Sequence, residues 1–248
     1  MHTQEGVRIE PAPEVLAAAQ AWLEPVRAAL GPEFRSAYLT GSVLSNAFDP
    51  AHSHINVLVI AKHLDLDHLD ALGRALPRVG KHGFEPLFVT RGQIEQSLDV
   101  FPVEWLDIQE RNFRLEGEDV FSALEIPREP LRMQCERELR GKHLRLRQAY
   151  VMALGRADQL TAALRAASSG LSVLFRTLLR LRGEFPPAEA ATERLAELYH
   201  LDAAALLAPH LLRYSKRRPK HEEIQPLYRK FLVELDRLIA AVDGLKVA

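Results

Sequence analysis

The sequence predicts a two-part molecule: an α/β domain on a small mixed sheet flanked by helices, followed by an all-α helical-bundle domain. Three observations predict it. Short apolar runs alternate with helical patterns between residues 34 and 115, as in an α/β layer structure. From Leu131 onward the apolar spacing is helical almost throughout. Charge divides at the same place. Residues 1–125 hold 10 Lys+Arg and 19 Asp+Glu, a net of −9, and residues 126–248 hold 22 and 14, a net of +8. The expected domains are 1–125 and 126–248, and 248 residues suffice for one large core or two moderate ones.

Residues 13–30 carry Val15, Leu16, Ala19, Trp22, Leu23, Val26 and Leu30 at three-to-four-residue spacing, an amphipathic helix. Pro25 is a candidate kink, and Gly31-Pro32 ends the helix. Phe34–Thr40 reads as a short strand, and Ile55–Ile60, β-branched and apolar, as a buried one. Leu64–Leu76 reads as a helix with Leu66, Leu69, Leu72 and Leu76 on one stripe. Phe84–Val89 is a third strand. Thr90 and Gln93 fit a capping box, so a helix is expected to about Asp99. Val103–Gln109 predicts another short helix and Asn112–Leu115 a strand, so the sheet should have three to five strands.

Pro127 and Pro130 mark the boundary. Beyond it the periodicity predicts five helices: 131–154, one from Asp158 to Gly183, 188–199, 202–212 and about 220–243. The first carries Leu131, Cys135, Leu139, Leu146, Tyr150 and Leu154; the last carries Leu227, Phe231, Leu235, Leu238, Ile239 and Val242.

Composition narrows the class. Hydrophobic content of 47% and charged content of 26% suit a soluble globular chain. No apolar run is long enough to span a bilayer, and MHTQEGVRIEP lacks the layout of a secretory signal. Cys135, the single cysteine, excludes an intrachain disulfide and reads as an inert packed thiol. A cytoplasmic location and no membrane partner are expected.

The stretch from Tyr38 to Ala61 carries the chemistry. Gly41-Ser42 follows a strand directly, and Gly there lets the backbone approach a phosphate while Ser42 offers a hydroxyl. After a gap of eleven residues, His54-Ile55-Asn56-Val57 alternates polar and apolar, which puts positions 54 and 56 on one face of a strand. A later strand supplies Glu85. With Thr40-Gly41-Ser42, His54-x-Asn56 and Glu85 in this order, the chain resembles the nucleotidyltransferase superfamily that includes DNA polymerase β-like and aminoglycoside-modifying enzymes. The FRLEGEDVF segment resembles the strand and turn that close the minimal bacterial version. The resemblance covers residues 34–125 in detail and the helical remainder in type.

That resemblance implies a nucleoside triphosphate at the Gly41-Ser42 turn and carboxylates at positions 54 and 56 that hold divalent metal ions. It also implies a third carboxylate, Glu85, that helps activate the attacking hydroxyl. His54 and Asn56 depart from it. The trio falls from a formal −3 to −1, carried by Glu85 alone. Mg²⁺ prefers anionic oxygen ligands, so standard Mg²⁺-dependent transfer is not expected. His54, Asn56 and Glu85 remain the candidate metal ligands. His52 and His54, with Asp49 and Glu85 as neighbours, form a mixture better suited to Zn²⁺ or Mn²⁺. Against this, His54 also reads as a hydrogen-bonded histidine at a strand start. The clusters Asp65, Asp67, His68, Asp70 and Glu104 to Asp119 read as solvated faces.

Two basic stretches are candidates for anion contact. In Arg137, Arg140, Lys142, His143, Arg145 and Arg147, the resemblance implies that Lys142 and Arg145 reach a nucleotide, although a solvated or salt-bridged face is the plainer reading. The run 216–221 could meet nucleic-acid phosphates, but no aromatic residues interleave with it, so nucleic acid is not the favoured partner. Three functions follow. The first is a nucleotidyltransferase-like protein that binds a nucleotide or partner without standard transfer. The second is an active nucleotidyltransferase with a non-standard metal set. The third, ranked last, is an interaction module resembling half of a toxin–antitoxin pair. Oligomeric state and catalytic competence stay open.

Overall fold

The computed structural model describes residues 10–44, 54–76, 83–153 and 155–247. These residues form two compact units. Over the described residues, one spans 10–99 with 104–126, and the other 100–103 with 127–247.

The first unit is built on a four-stranded mixed sheet. Its strands are β1 (Phe34–Thr40), β2 (Ile55–Ala61), β3 (Phe84–Thr90) and β4 (Asn112–Gly117), in the order β3-β2-β1-β4. β1 runs antiparallel to β2 and β4, while β2 and β3 are parallel. Parallel neighbours need a crossover, and α2 (Leu66–Ala75) lies between them in the chain. Period-two alternation gives the sheet two buried faces. On one, Ala37, Leu39, Ile55, Val57, Val59 and Ala61 pack with α1 (Pro13–Leu30) and α2. Trp22 of α1 stacks on Phe84 at 5.2 Å between ring centroids. On the other, Tyr38, Leu58 and Ile60 pack against Ile94 of α3 (Arg91–Gln96), Trp105 of α4 (Pro102–Glu110), and Val120, Phe121 and Leu124. The buried Tyr38 hydroxyl donates to Glu118 O at 2.6 Å and accepts from Val120 N–H at 2.9 Å, fastening the segment after β4.

Three local expectations are met or modified for visible reasons. The Thr90–Gln93 capping box is present, but α3 stops at Gln96. There the Ser97 hydroxyl donates to the Gln93 carbonyl at 2.7 Å and accepts from Trp105 Nε1 at 2.9 Å. α1 runs unbroken through Pro25. The leucine stripe expected on α2 is not a buried stripe. Asp65 caps the helix by accepting from His68 N–H, which leaves Leu66 78% and Leu69 44% exposed. Leu72 is the buried contact, with Leu64 and Leu76 packing from outside the helix.

The second unit holds six helices among the described residues: α5 (Arg128–Ala153), α6 (Ala157–Ala167), α7 (Leu171–Leu181), α8 (Ala191–Tyr199), α9 (Ala203–Tyr214) and α10 (His221–Asp243). The single helix expected from Asp158 to Gly183 is two. The Ser168 hydroxyl bonds back to Arg165 O, and the chain turns at Gly170 with φ +73°. Asp158 lies in the first turn of α6, and Arg156 occupies the cap position. Of the apolar residues expected on α5, Leu154 lies outside the described residues. Phe231, Leu235, Leu238, Ile239 and Val242 of α10 are buried as the periodicity requires. Among the described residues no helix is long and apolar enough to cross a membrane.

Candidate functional site

β1 ends in a tight turn. Gly41 has φ +77°, a left-handed conformation that favours glycine, and begins the 3₁₀ turn Gly41–Leu44. Val43 and Leu44 are buried in the α1-side core and anchor that turn. A methyl group on Gly41 would lie 2.8 Å from Asn56 Nδ2. The Asn56 side chain therefore covers the turn closely, and no other residue type leaves it room.

Strand register builds the rest. Thr40 pairs with Asn56 on one side and Asn112 on the other, and Asn56 pairs with Glu85. Side chains in register share a face. Glu85, Asn56, Thr40 and Asn112 thus form a polar row across all four strands, at the end of the face whose interior holds Tyr38, Leu58 and Ile60. His54, one step before β2, lies beside this row. Its Nδ1 pairs with Glu85 Oε1, and its ring lies where a Gly83 side chain would begin. His54 and Glu85 are 61% and 60% exposed, so this pair faces solvent. Asn112 Nδ2 is directed to Ile108 O at 2.9 Å and Gln109 O at 3.2 Å, which fixes the end of α4 against the start of β4.

One residue in this neighbourhood was not anticipated. Arg111, between α4 and β4, donates from Nη2 to Gly41 O at 3.3 Å, and its Nε lies 3.9 Å from Asp107 Oδ1. In the sequence it is hidden inside the acidic run from Glu104 to Asp119. The signal that could have exposed it is the pairing of β4 with β1, which carries the residue before Asn112 to the residue after Thr40.

The donor set was tested against the divalent ion that the resemblance implies. One anionic carboxylate, Glu85, is present and paired with an imidazole. Asn56 brings a neutral amide whose nitrogen lies toward Gly41. These groups do not fit a Mg²⁺ site, which needs several hard, preferably anionic oxygens in octahedral order. Among the described residues no group of three or more His, Cys, Asp or Glu side chains is placed to hold a metal. Asp49 and His52 lie outside the described residues.

Lys142 and Arg145 belong to the second unit, on α5. Lys142 Nζ donates to Ser169 O at 2.5 Å. Burial first, and then the nearby Arg145 charge, push its pKa below the ordinary lysine value. Arg145 is exposed and its guanidinium lies over Gly141. In the run 216–221, Arg217 pairs with Glu223 at 2.5 Å, while Lys216 and Arg218 are exposed.

No family model matches the chain, and no curated protein matches it in sequence. In three dimensions it is similar to a spectinomycin adenyltransferase, AAD(9), from Enterococcus faecialis, solved with ATP and spectinomycin. The likeness has a TM-score of 0.54 at 15% identity and covers 90% of this chain and 98% of that one. The fold is therefore nucleotidyltransferase-like, as the order Gly41-Ser42, His54-x-Asn56, Glu85 implied.

Proposed function

We propose that the chain binds a nucleotide, or a partner presenting a similar anion, at the Gly41–Ser42 turn and does not carry out standard Mg²⁺-dependent nucleotidyl transfer. Residues 1–125 are the ligand-binding domain in this reading, and 126–248 a helical companion. The observation that carries it is the register: Asn56 lies between Thr40 and Glu85 at the centre of the polar row, where a metal-holding carboxylate is expected. Loss of two anionic ligands removes several kcal/mol of metal binding and transition-state stabilisation. The ATP recorded with the similar adenyltransferase supports a nucleotide as the ligand class.

The second reading keeps the chemistry. The His54–Glu85 pair offers nitrogen and oxygen side by side, a combination that suits Zn²⁺ or Mn²⁺. A transferase using them would move a nucleoside monophosphate to a small molecule, a protein or a nucleic-acid end, with Glu85 receiving the acceptor's proton. The spectinomycin bound to the neighbour is an example of a small acceptor.

One assay separates the two. The protein is incubated with each labelled nucleoside triphosphate and Mg²⁺, Mn²⁺ or Zn²⁺, and pyrophosphate is measured. The first reading expects binding without release. Release that is abolished by Glu85→Ala and Ser42→Ala establishes the second.

A further inference from the structure

We propose that the site takes the phosphate chain of its nucleotide without a divalent cation, Arg111 supplying the positive charge that a metal supplies in an acid-lined site. The inference rests on the nucleotide reading above and specifies how that ligand is held.

A row of carboxylates repels a polyphosphate, so such a site needs a dication between the two sets of negative charge. This row does not have that problem. Its central positions, Asn56, Thr40 and Asn112, are neutral hydrogen-bonding side chains. Its one carboxylate, Glu85, is on the edge strand β3, two strand spacings or roughly 10 Å from the end of β1, and is held by His54. At the other end, a guanidinium touches the turn itself through Gly41 O, with Asp107 orienting it from one helical turn away. The carboxylate of the row therefore lies at β3, away from the Gly41–Ser42 turn, and the turn has the Arg111 guanidinium beside it, with Asp107 as its counter-charge. Guanidinium suits this task because its planar fork matches two phosphate oxygens and it is permanently charged. The neutral row and the arginine make one consistent change. Removing the acids eliminates both the need for a metal and the means of holding one.

The test is calorimetric titration of the full chain with ATP and GTP, once in EDTA and once in excess Mg²⁺. Wild-type affinity should agree within about threefold between the two conditions. Arg111→Ala should weaken binding in EDTA by about tenfold or more, and Arg111→Lys by less. Asn56→Asp, nearly isosteric, should weaken binding in EDTA and make Mg²⁺ strengthen it. Wild-type binding that requires Mg²⁺ overturns this inference while leaving the nucleotide reading intact. So does unchanged EDTA binding by a folded Arg111→Ala protein. If Arg111→Ala does not fold, unchanged EDTA binding by Asn56→Asp overturns the inference instead. No binding of either triphosphate in either condition overturns the nucleotide reading and this inference together.

Discussion

Gly41→Ala perturbs the turn at its tightest point, and its cost can be divided into two physical parts. The first is backbone. At φ +77° an L-residue's Cβ crowds its own carbonyl, costing about 1–2 kcal/mol. The second is the neighbour. The new methyl would sit 2.8 Å from Asn56 Nδ2, an approach that side chain must relieve by leaving its rotamer, at about 0.5–1.5 kcal/mol. The sum is about 1.5–3.5 kcal/mol. In an Asn56→Ala background the second part disappears, and the same substitution should cost about 1–2 kcal/mol. Urea unfolding followed by tryptophan fluorescence isolates the effect, because both tryptophans, Trp22 and Trp105, lie in the cores of the sheet unit. A double-mutant cycle with no coupling would refute the contact between turn and amide. A cost below about 0.5 kcal/mol in both backgrounds would refute the left-handed turn itself.

Other expectations follow from single contacts. Tyr38→Phe leaves the buried Val120 N–H and the Glu118 carbonyl without the hydroxyl that joins them, so unfolding of the sheet unit should become easier by about 2 kcal/mol in the same fluorescence assay. Arg165→Met removes donors to Leu212 O at 2.9 Å and Ser215 O at 2.8 Å; a loss of about 2 kcal/mol in the second unit should appear in thermal melts followed by circular dichroism. Burial pushes the Tyr228 pKa up to about 12, and its hydroxyl donates to Leu146 O at 2.7 Å. An acid whose folded pKa is raised favours folding below its unfolded pKa of 10.0 and loses that contribution as pH rises toward the folded value. The melting temperature of the helical unit should therefore fall between pH 10 and about 12, and Tyr228→Phe should flatten that limb.

Element types were readable from the chain wherever periodicity was strong. The strands at 34, 55, 84 and 112 begin where the sequence places them: β2 is a nearly continuous apolar run, and the others carry β-branched, aromatic and aliphatic residues between helical patterns. Readability failed at helix ends that apolar spacing passes over: α3 stops at Gln96, and the segment expected as one helix breaks between Ala167 and Leu171, where Gly170 has φ +73°. It failed again at the site for a topological reason. His54, Asn56 and Glu85 could be grouped because they lie on strands with a recognisable spacing. Arg111 and Asn112 reach the site only through the antiparallel pairing of β4 with β1, and pairing partners are not a property of local sequence. The α2 stripe shows the converse error: a correct period does not say how much of a face the neighbouring layer covers.

The charge division has a physical use that composition could not disclose. In the helical unit, cationic side chains donate to carbonyls at or just beyond the C-terminal ends of all six described helices. Arg156 meets Ala153 O of α5, Lys142 meets Ser169 O after α6, and Arg128 meets Leu181 O of α7. Arg237 meets His200 O after α8, Arg165 meets Leu212 O of α9, and Arg132 meets Val242 O of α10. Each cation gives a carbonyl at a helix end a further donor and opposes the negative end of its dipole, for about 0.3–1 kcal/mol where exposed and more where partly buried. Much of the +8 on residues 126–248 therefore has work inside its own unit, and the sum is not by itself a sign of an anion-binding surface. The inverse holds for the acidic half. Its net of −9 conceals a guanidinium, that of Arg111, which touches the Gly41–Ser42 turn. A ligand responds to the groups within a few ångströms, not to a total over 125 residues, so the sign of a half predicts little about the sign of the site it contains.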